Sequence, residues 1–154
     1  MNKQPNSRKC FVCGIENANG LHLKFYETGP GEVTVDYTAP EHFQGYPGVL
    51  HGGIVAAILD ETAGRTLMGT TSTPRFMFTG KMEVKYRRNV PVGQPLKVIG
   101  RAGRDRGRSA EASAAIYNQN GDLLAEAEVL LVNLPETPDP AILNQLGWKV
   151  YPDM

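Results

Sequence analysis

The stretch that most constrains this chain is 52–68, GGIVAAILDETAGRTLM. It holds no proline, is rich in Ala, Ile and Leu, and is followed by Gly69. Good helix formers ended by a glycine predict one long helix over these residues. Nearly every position before Asp60 is apolar. A helix of that kind is buried on most sides, so the rest of the chain has to wrap it.

The flanking residues supply the wrapping. Residues 21–26 and 32–37 alternate apolar and polar side chains about the turn Thr28-Gly29-Pro30-Gly31, which predicts a hairpin. A loop rich in Gly and Pro spans 39–50, and further strands are expected near 76–87, 94–103, 109–118 and 123–133. Asn120-Gly121 is a strong hairpin turn between the last two. The tail predicts a short helix, with Asp139 as N-cap, Pro140 in its first turn and Gly147 at its stop. The plan is α+β: an antiparallel sheet wrapped around one long central helix. One sheet face or edge would stay uncovered, which points to a dimer.

A length of 154 residues fits a single domain, with an N-terminal segment at 1–20 and a tail at 134–154 that covers a sheet edge or a partner subunit. Sixteen basic residues balance sixteen acidic ones, so no overall field recruits nucleic acid or membrane. An anionic ligand therefore needs a local basic cluster. The polar start, Met1 to Arg8, lacks a signal-peptide core, and no apolar run nears the roughly 20 residues that cross a bilayer. Two cysteines do not make a disulfide framework, and a reducing cytoplasm is expected.

Asp60 is the anomaly in the helix, because a buried acid is costly unless it is paired. Helical spacing puts Gly53, Ala56, Ala57 and Gly64 on or near its face, leaving a groove of small residues with a carboxylate in the wall. Glu61 and Arg65, four apart in the favourable order, read as a solvated ion pair with a structural role. His51-Gly52-Gly53 begins the helix. Its backbone N–H groups are unsatisfied donors reinforced by the helix dipole, suited to the oxyanion formed when a thioester carbonyl is attacked.

Residues 43–53, FQGYPGVLHGG, followed by Ile54 to Asp60 and then by FTGKMEVKYRR at 78–88, resemble the hotdog-fold acyl-CoA thioesterases of the PaaI and 4-hydroxybenzoyl-CoA type. The likeness runs from about Leu21 to Val132, and Cys10-Phe-Val-Cys13-Gly14 with Asn19-Gly20-Leu21 matches one branch of that family. The resemblance implies that Asp60 is the catalytic acid, as general base or nucleophile, and that the Gly52 N–H polarises the carbonyl. It implies that His51 organises the turn, that Thr79 positions the acid or its water, and that Gln44 lies near a side-chain amide contacting the substrate or the histidine. It further implies that His-Gly-Gly of one subunit faces the acid of another, in a homodimer or a dimer of dimers. The substrate is then an acyl-CoA and no cofactor is needed. Where the family often has proline after Tyr-x-Arg, this chain has Asn89.

Gly53 and five arginines are the remaining substrate-binding candidates. Arg87, Arg88, Arg104, Arg106 and Arg108 can meet CoA phosphates through their planar forks, or Arg104 to Arg108 can be an ordinary solvated loop. Cys10 and Cys13 have only His22 nearby in sequence as a further zinc ligand, so packed, reduced thiols and no metal are expected. His42-Phe43 suggests the hotdog 3-hydroxyacyl thioester dehydratases, but Gln44 stands where that pattern has proline. A non-catalytic acyl-CoA sensor on the same fold would not need the acid.

Overall fold

The structure, a computed structural model, describes residues 1–69, 74–136 and 138–153. Among these residues seven strands form one sheet: β1 (Asn2–Lys3), β2 (Tyr26–Gly29), β3 (Glu32–Thr38), β4 (Met77–Tyr86), β5 (Pro95–Asp105), β6 (Ser109–Tyr117) and β7 (Leu123–Asn133). Their order is β1-β2-β3-β5-β6-β7-β4, with every pairing antiparallel. Helix α1 (Gly52–Gly64) packs on β3 to β7. This is the hotdog arrangement expected from the resemblance.

Small residues let the helix lie close. A Cβ at Gly100 of β5 would stand 2.8 Å from the Thr62 carbonyl, and Ala112, Ala114 and Ala127 floor the contact around it. On α1 the buried residues are Val55, Ile58, Leu59, Thr62 and Ala63. That spacing is a single stripe at i, i+3, i+4, i+7 and i+8. Burial on most sides therefore does not hold within one chain: Ala56, Ala57, Asp60 and Gly64 are only half-buried, because the sheet covers one side.

Two element boundaries differ from expectation. The helix ends at Gly64 and not Met68. Beyond it, Thr66 and Met68 donate to residues three back, at 3.2 and 3.3 Å, and the Thr66 hydroxyl bonds the Ala63 carbonyl at 2.8 Å. Glycine and a hydroxyl that competes for the backbone loosen the last turn. At the other end, 21–25 alternates as read but is not in the sheet. Leu21 and Leu23 donate to Phe11 and Val12, and Phe25 accepts from Gln4, so this segment pairs with the N-terminus.

That polar N-terminus is buried. Gln4, Asn6 and Ser7 are at most 5 % exposed, and Asn6 exchanges backbone hydrogen bonds with Lys149. The tail thus covers the N-terminal segment. Its helix α2 (Pro140–Leu146) starts on an Asp139 cap and stops at Gly147 in the left-handed region (φ 66°), as read. No helix among the described residues is long and apolar enough to cross a membrane.

One irregularity places the candidate site. Thr79 pairs with Leu131 and Lys81 with Leu130, so Gly80 is an extra residue in β4. Beyond this bulge Met82 and Val84 face the core, and before it Met77 does. Side chains alternate with a period of two, so without the bulge Thr79 would point away from the helix. A Cβ at Gly80 would fall 2.9 Å from Val132 Cγ2.

Candidate active site

The Thr79 hydroxyl donates to Asp60 Oδ1 at 2.5 Å, joining α1 to the bulged strand. Asp60 lines a groove of about 480 Å³ together with Ala57, Gly64, Met68, Phe76 and Trp148. Of the small-residue face read from the sequence, Ala57 and Gly64 lie in this wall, whereas Gly53 and Ala56 do not line it. Leu146 and Trp148 bring the C-terminal tail into the same groove. Trp148 meets Phe76 edge to face at 5.0 Å.

His51 caps the start of the helix. Its Nδ1 accepts the Gly53 N–H at 2.9 Å, and its carbonyl accepts from Ile54 and Val55. The Tyr86 hydroxyl donates to the Gly52 carbonyl at 2.7 Å. Histidine and tyrosine therefore hold the Gly52–Gly53 peptide from its two ends. The Gly53 N–H is engaged in this way, whereas the Gly52 N–H has no partner among the described residues. Gly52 lines a second groove, of about 610 Å³, with His51, Tyr86, Arg87, Arg88 and Asn89. Tyr86 lay inside the quoted strand motif, yet nothing in its spacing announced a contact with a glycine 34 positions earlier.

Asp60 and Gly52 are eight residues apart on one helix. At 1.5 Å per residue they are separated by about 12 Å along the axis, too far to act on one carbonyl carbon. The two grooves of a single chain accordingly hold different halves of the expected set.

The arginines also separate. Arg87 pairs with Glu126 (3.0 Å) and Arg88 with Asp122 (3.4 Å) beside the Gly52 groove. Arg104, Arg106 and Arg108 lie around the β5–β6 turn, near the far end of the ten-residue β4, about 30 Å away at the usual strand rise. Gln44 accepts from the Gly48 N–H at 3.0 Å and closes its own loop; no hydrogen bond joins it to His51. His42 lies against Phe43, the rings 4.4 Å apart and tilted by 56°, and lines neither groove.

Glu61 and Arg65 do pair, at 3.2 Å, but they are not solvated. Arg65 is 1 % exposed, lies 4.1 Å over the Phe25 ring and donates to the Pro5 carbonyl at 2.7 Å. The N-terminal segment, invisible to helical spacing, has covered it. Burial raises the Glu61 carboxyl above the ordinary carboxylate range, against the pull of Arg65. The Cys10 thiol approaches Glu61 Oε1 at 3.4 Å. Both cysteines are free. His22, their only near candidate ligand in sequence, instead bonds the Asn17 carbonyl.

The thioesterase superfamily model matches residues 47–125, half of the chain, from just before the helix cap through β4 to the start of β7. The chain belongs to the thioesterase superfamily. Acyl-coenzyme A thioesterase THEM4 of Rattus norvegicus is 24 % identical over 139 residues, covering 88 % of this chain and 59 % of that protein. The Mus musculus protein of the same name is 29 % identical with the same coverage. The chain thus spans less than two thirds of these relatives. Among solved structures, the E. coli PaaI protein from the phenylacetic acid degradation operon superposes with a TM-score of 0.68 at 14 % identity, over 76 % of this chain and 83 % of that one. Protein smu.793 of Streptococcus mutans UA159, solved bound to acetyl CoA, gives 0.67 at 19 % identity over 75 % and 91 %. At these identities the superpositions establish the shared hotdog fold.

Proposed function

We propose that this chain hydrolyses acyl-CoA thioesters, and that each site is built from two copies of it. The observation that carries the reading is the Asp60 carboxylate, held by Thr79 in a largely apolar groove, with an unpartnered Gly52 N–H at the other end of the same helix. A two-fold axis that sets the Gly52 end of one α1 against the Asp60 end of another supplies both groups to one carbonyl. The ten-residue edge strand β4, with Phe78 and Tyr86 about half exposed, is the surface left to cover.

In this mechanism the Gly52 N–H and the helix dipole polarise the thioester carbonyl. Asp60 either takes a proton from the attacking water and passes it to the departing sulfur, or attacks directly to form an acyl anhydride that water then cleaves; the acyl group leaves as the free acid and CoA as a thiol. Thr79 holds the acid in position. His51 and Tyr86 fix the peptide that follows the donor. Arg87 and Arg88 meet the CoA phosphates, and the same axis brings Arg104, Arg106 and Arg108 of the second copy toward them. The step draws on no cofactor, and the unbridged cysteines suit a reducing cytoplasm. The relatives named acyl-coenzyme A thioesterase support the substrate class.

The test is thiol release from a panel of acyl-CoAs by wild type, Asp60→Asn and Asp60→Ala. The reading requires turnover by wild type and its loss in both variants. Full activity in either variant, or no hydrolysis of any acyl-CoA by wild type, overturns it.

A further inference from the structure

The Cys-x-x-Cys pair has no part in thioester hydrolysis, yet it stands in the wall of the Asp60 groove beside Glu61. The two thiol sulfurs and a Glu61 carboxylate oxygen all lie within 4.8 Å of one another. Zinc bonds of about 2.3 Å to thiolate and about 2.1 Å to carboxylate give a tetrahedral ion S···O edges of about 3.6 Å and an S···S edge of about 3.8 Å. Cys10 Sγ and Glu61 Oε1 are already 3.4 Å apart. The widest spacing has to close by about 1 Å at most.

The surroundings present these atoms as ligands. The Gly14 N–H donates to the Cys10 carbonyl at 2.7 Å, and a Cβ on Gly14 would sit 2.4 Å from that oxygen, so the turn that brings the thiols together requires glycine. The Ser7 hydroxyl lies 3.5 Å from Cys13 Sγ, where it can donate to a thiolate. Arg65 occupies Glu61 Oε2 and leaves Oε1 toward the cysteines, as an outer partner orients a ligating carboxylate. Two thiolates, a carboxylate and the Arg65 guanidinium carry a net charge of minus two, which one divalent cation neutralises.

We propose that Cys10, Cys13 and Glu61 hold a thiophilic divalent cation, zinc by preference, with water from the groove as fourth ligand. Such an ion clips the N-terminal segment to α1 one residue from Asp60. It is independent of the hydrolytic reading, because its ligands touch no reacting atom in that mechanism. Thiolate donors with one carboxylate select zinc over magnesium or calcium.

The full chain, stripped with a chelator under reducing conditions, is titrated with Co²⁺ and followed by sulfur-to-cobalt charge-transfer absorption. The expected result is one cobalt ion per chain, displaced by Zn²⁺, and protection of both thiols from a disulfide reagent. Cys10→Ser and Cys13→Ser should abolish the band, and Glu61→Gln should weaken binding by about tenfold or more. Cys10 is half-exposed, so Cys10→Ser carries the test if the buried Cys13 variant fails to fold. Reduced wild type that gives no charge-transfer band, or a band that persists in Cys10→Ser, overturns the site. Formation of a Cys10–Cys13 disulfide by protein that takes up no cobalt would make the pair a redox couple instead.

Discussion

Replacing Thr79 with valine keeps the side chain's shape and removes the hydroxyl that holds Asp60 at 2.5 Å. A hydrogen bond to a charged group contributes about 1.5–3 kcal/mol, or about ten- to 150-fold in rate if it is needed in the transition state. Thr79 is exposed in the single chain, so the lower part of that range, about ten- to thirtyfold in kcat/KM, is expected. Thr79→Ser should retain most activity. Gly80→Ala tests the same link through the backbone: its Cβ would fall 2.9 Å from Val132 Cγ2, which strains the bulge that turns Thr79 to the helix, and activity should fall. Thiol release with one acyl-CoA reads all three variants, with thermal melts to separate unfolding from lost chemistry. Wild-type kcat/KM in Thr79→Val refutes the positioning role.

Three further outcomes follow from the same contacts. A Cβ at Gly53 would fall 3.1 Å from His51 Nδ1, so Gly53→Ala should displace the cap, costing about 0.5–2 kcal/mol by urea unfolding and lowering kcat. Arg65→Ala leaves Glu61 without its buried partner and the Pro5 carbonyl unpaired, and should cost about 3–5 kcal/mol in the same assay. Asp153 is held down to about 2, first by Lys3 and then by Tyr26, so its contribution is present above the ordinary carboxylate value and is lost as pH falls through about 2. Urea midpoints of wild type and Asp153→Asn should therefore differ at pH 5 and converge at the acid end of that window.

Much of the fold was legible because its signals are local. Alternation gave β5, β6 and β7 nearly to the residue, Asn120-Gly121 marked their last hairpin, and Asp139, Pro140 and Gly147 bounded α2. Asp60 was legible as a charge among small residues, and its groove is there. What escaped depends on contacts distant in sequence. Residues 21–25 alternate like a strand, but their partner is the N-terminal segment and not the sheet. Arg65 sits at ideal spacing for a surface pair, and Phe25, Pro5 and Trp148 bury it. Thr79 faces Asp60 only because Gly80 is an extra residue, which strand alternation alone does not reveal. Glu61 meets Cys10 across 51 positions, a proximity no motif spacing encodes.

The claim that each chain carries half a site is tested most directly by mixing two inactive variants. His51 has extended backbone (ψ 133°) and Gly52 is the first helical residue, a position that accepts proline. Gly52→Pro therefore removes the oxyanion donor with the helix intact, and should lower kcat about 10²–10³-fold. Asp60→Asn removes the acid. In a dimer of one Gly52→Pro chain and one Asp60→Asn chain, one site carries both defects and the other carries none. Unfolding and refolding the two variants together should restore about a quarter of wild-type thiol release, the share of intact sites in a random mixture of dimers. Activity no greater than the sum of the separate variants would place both halves of the site within one chain and contradict the account.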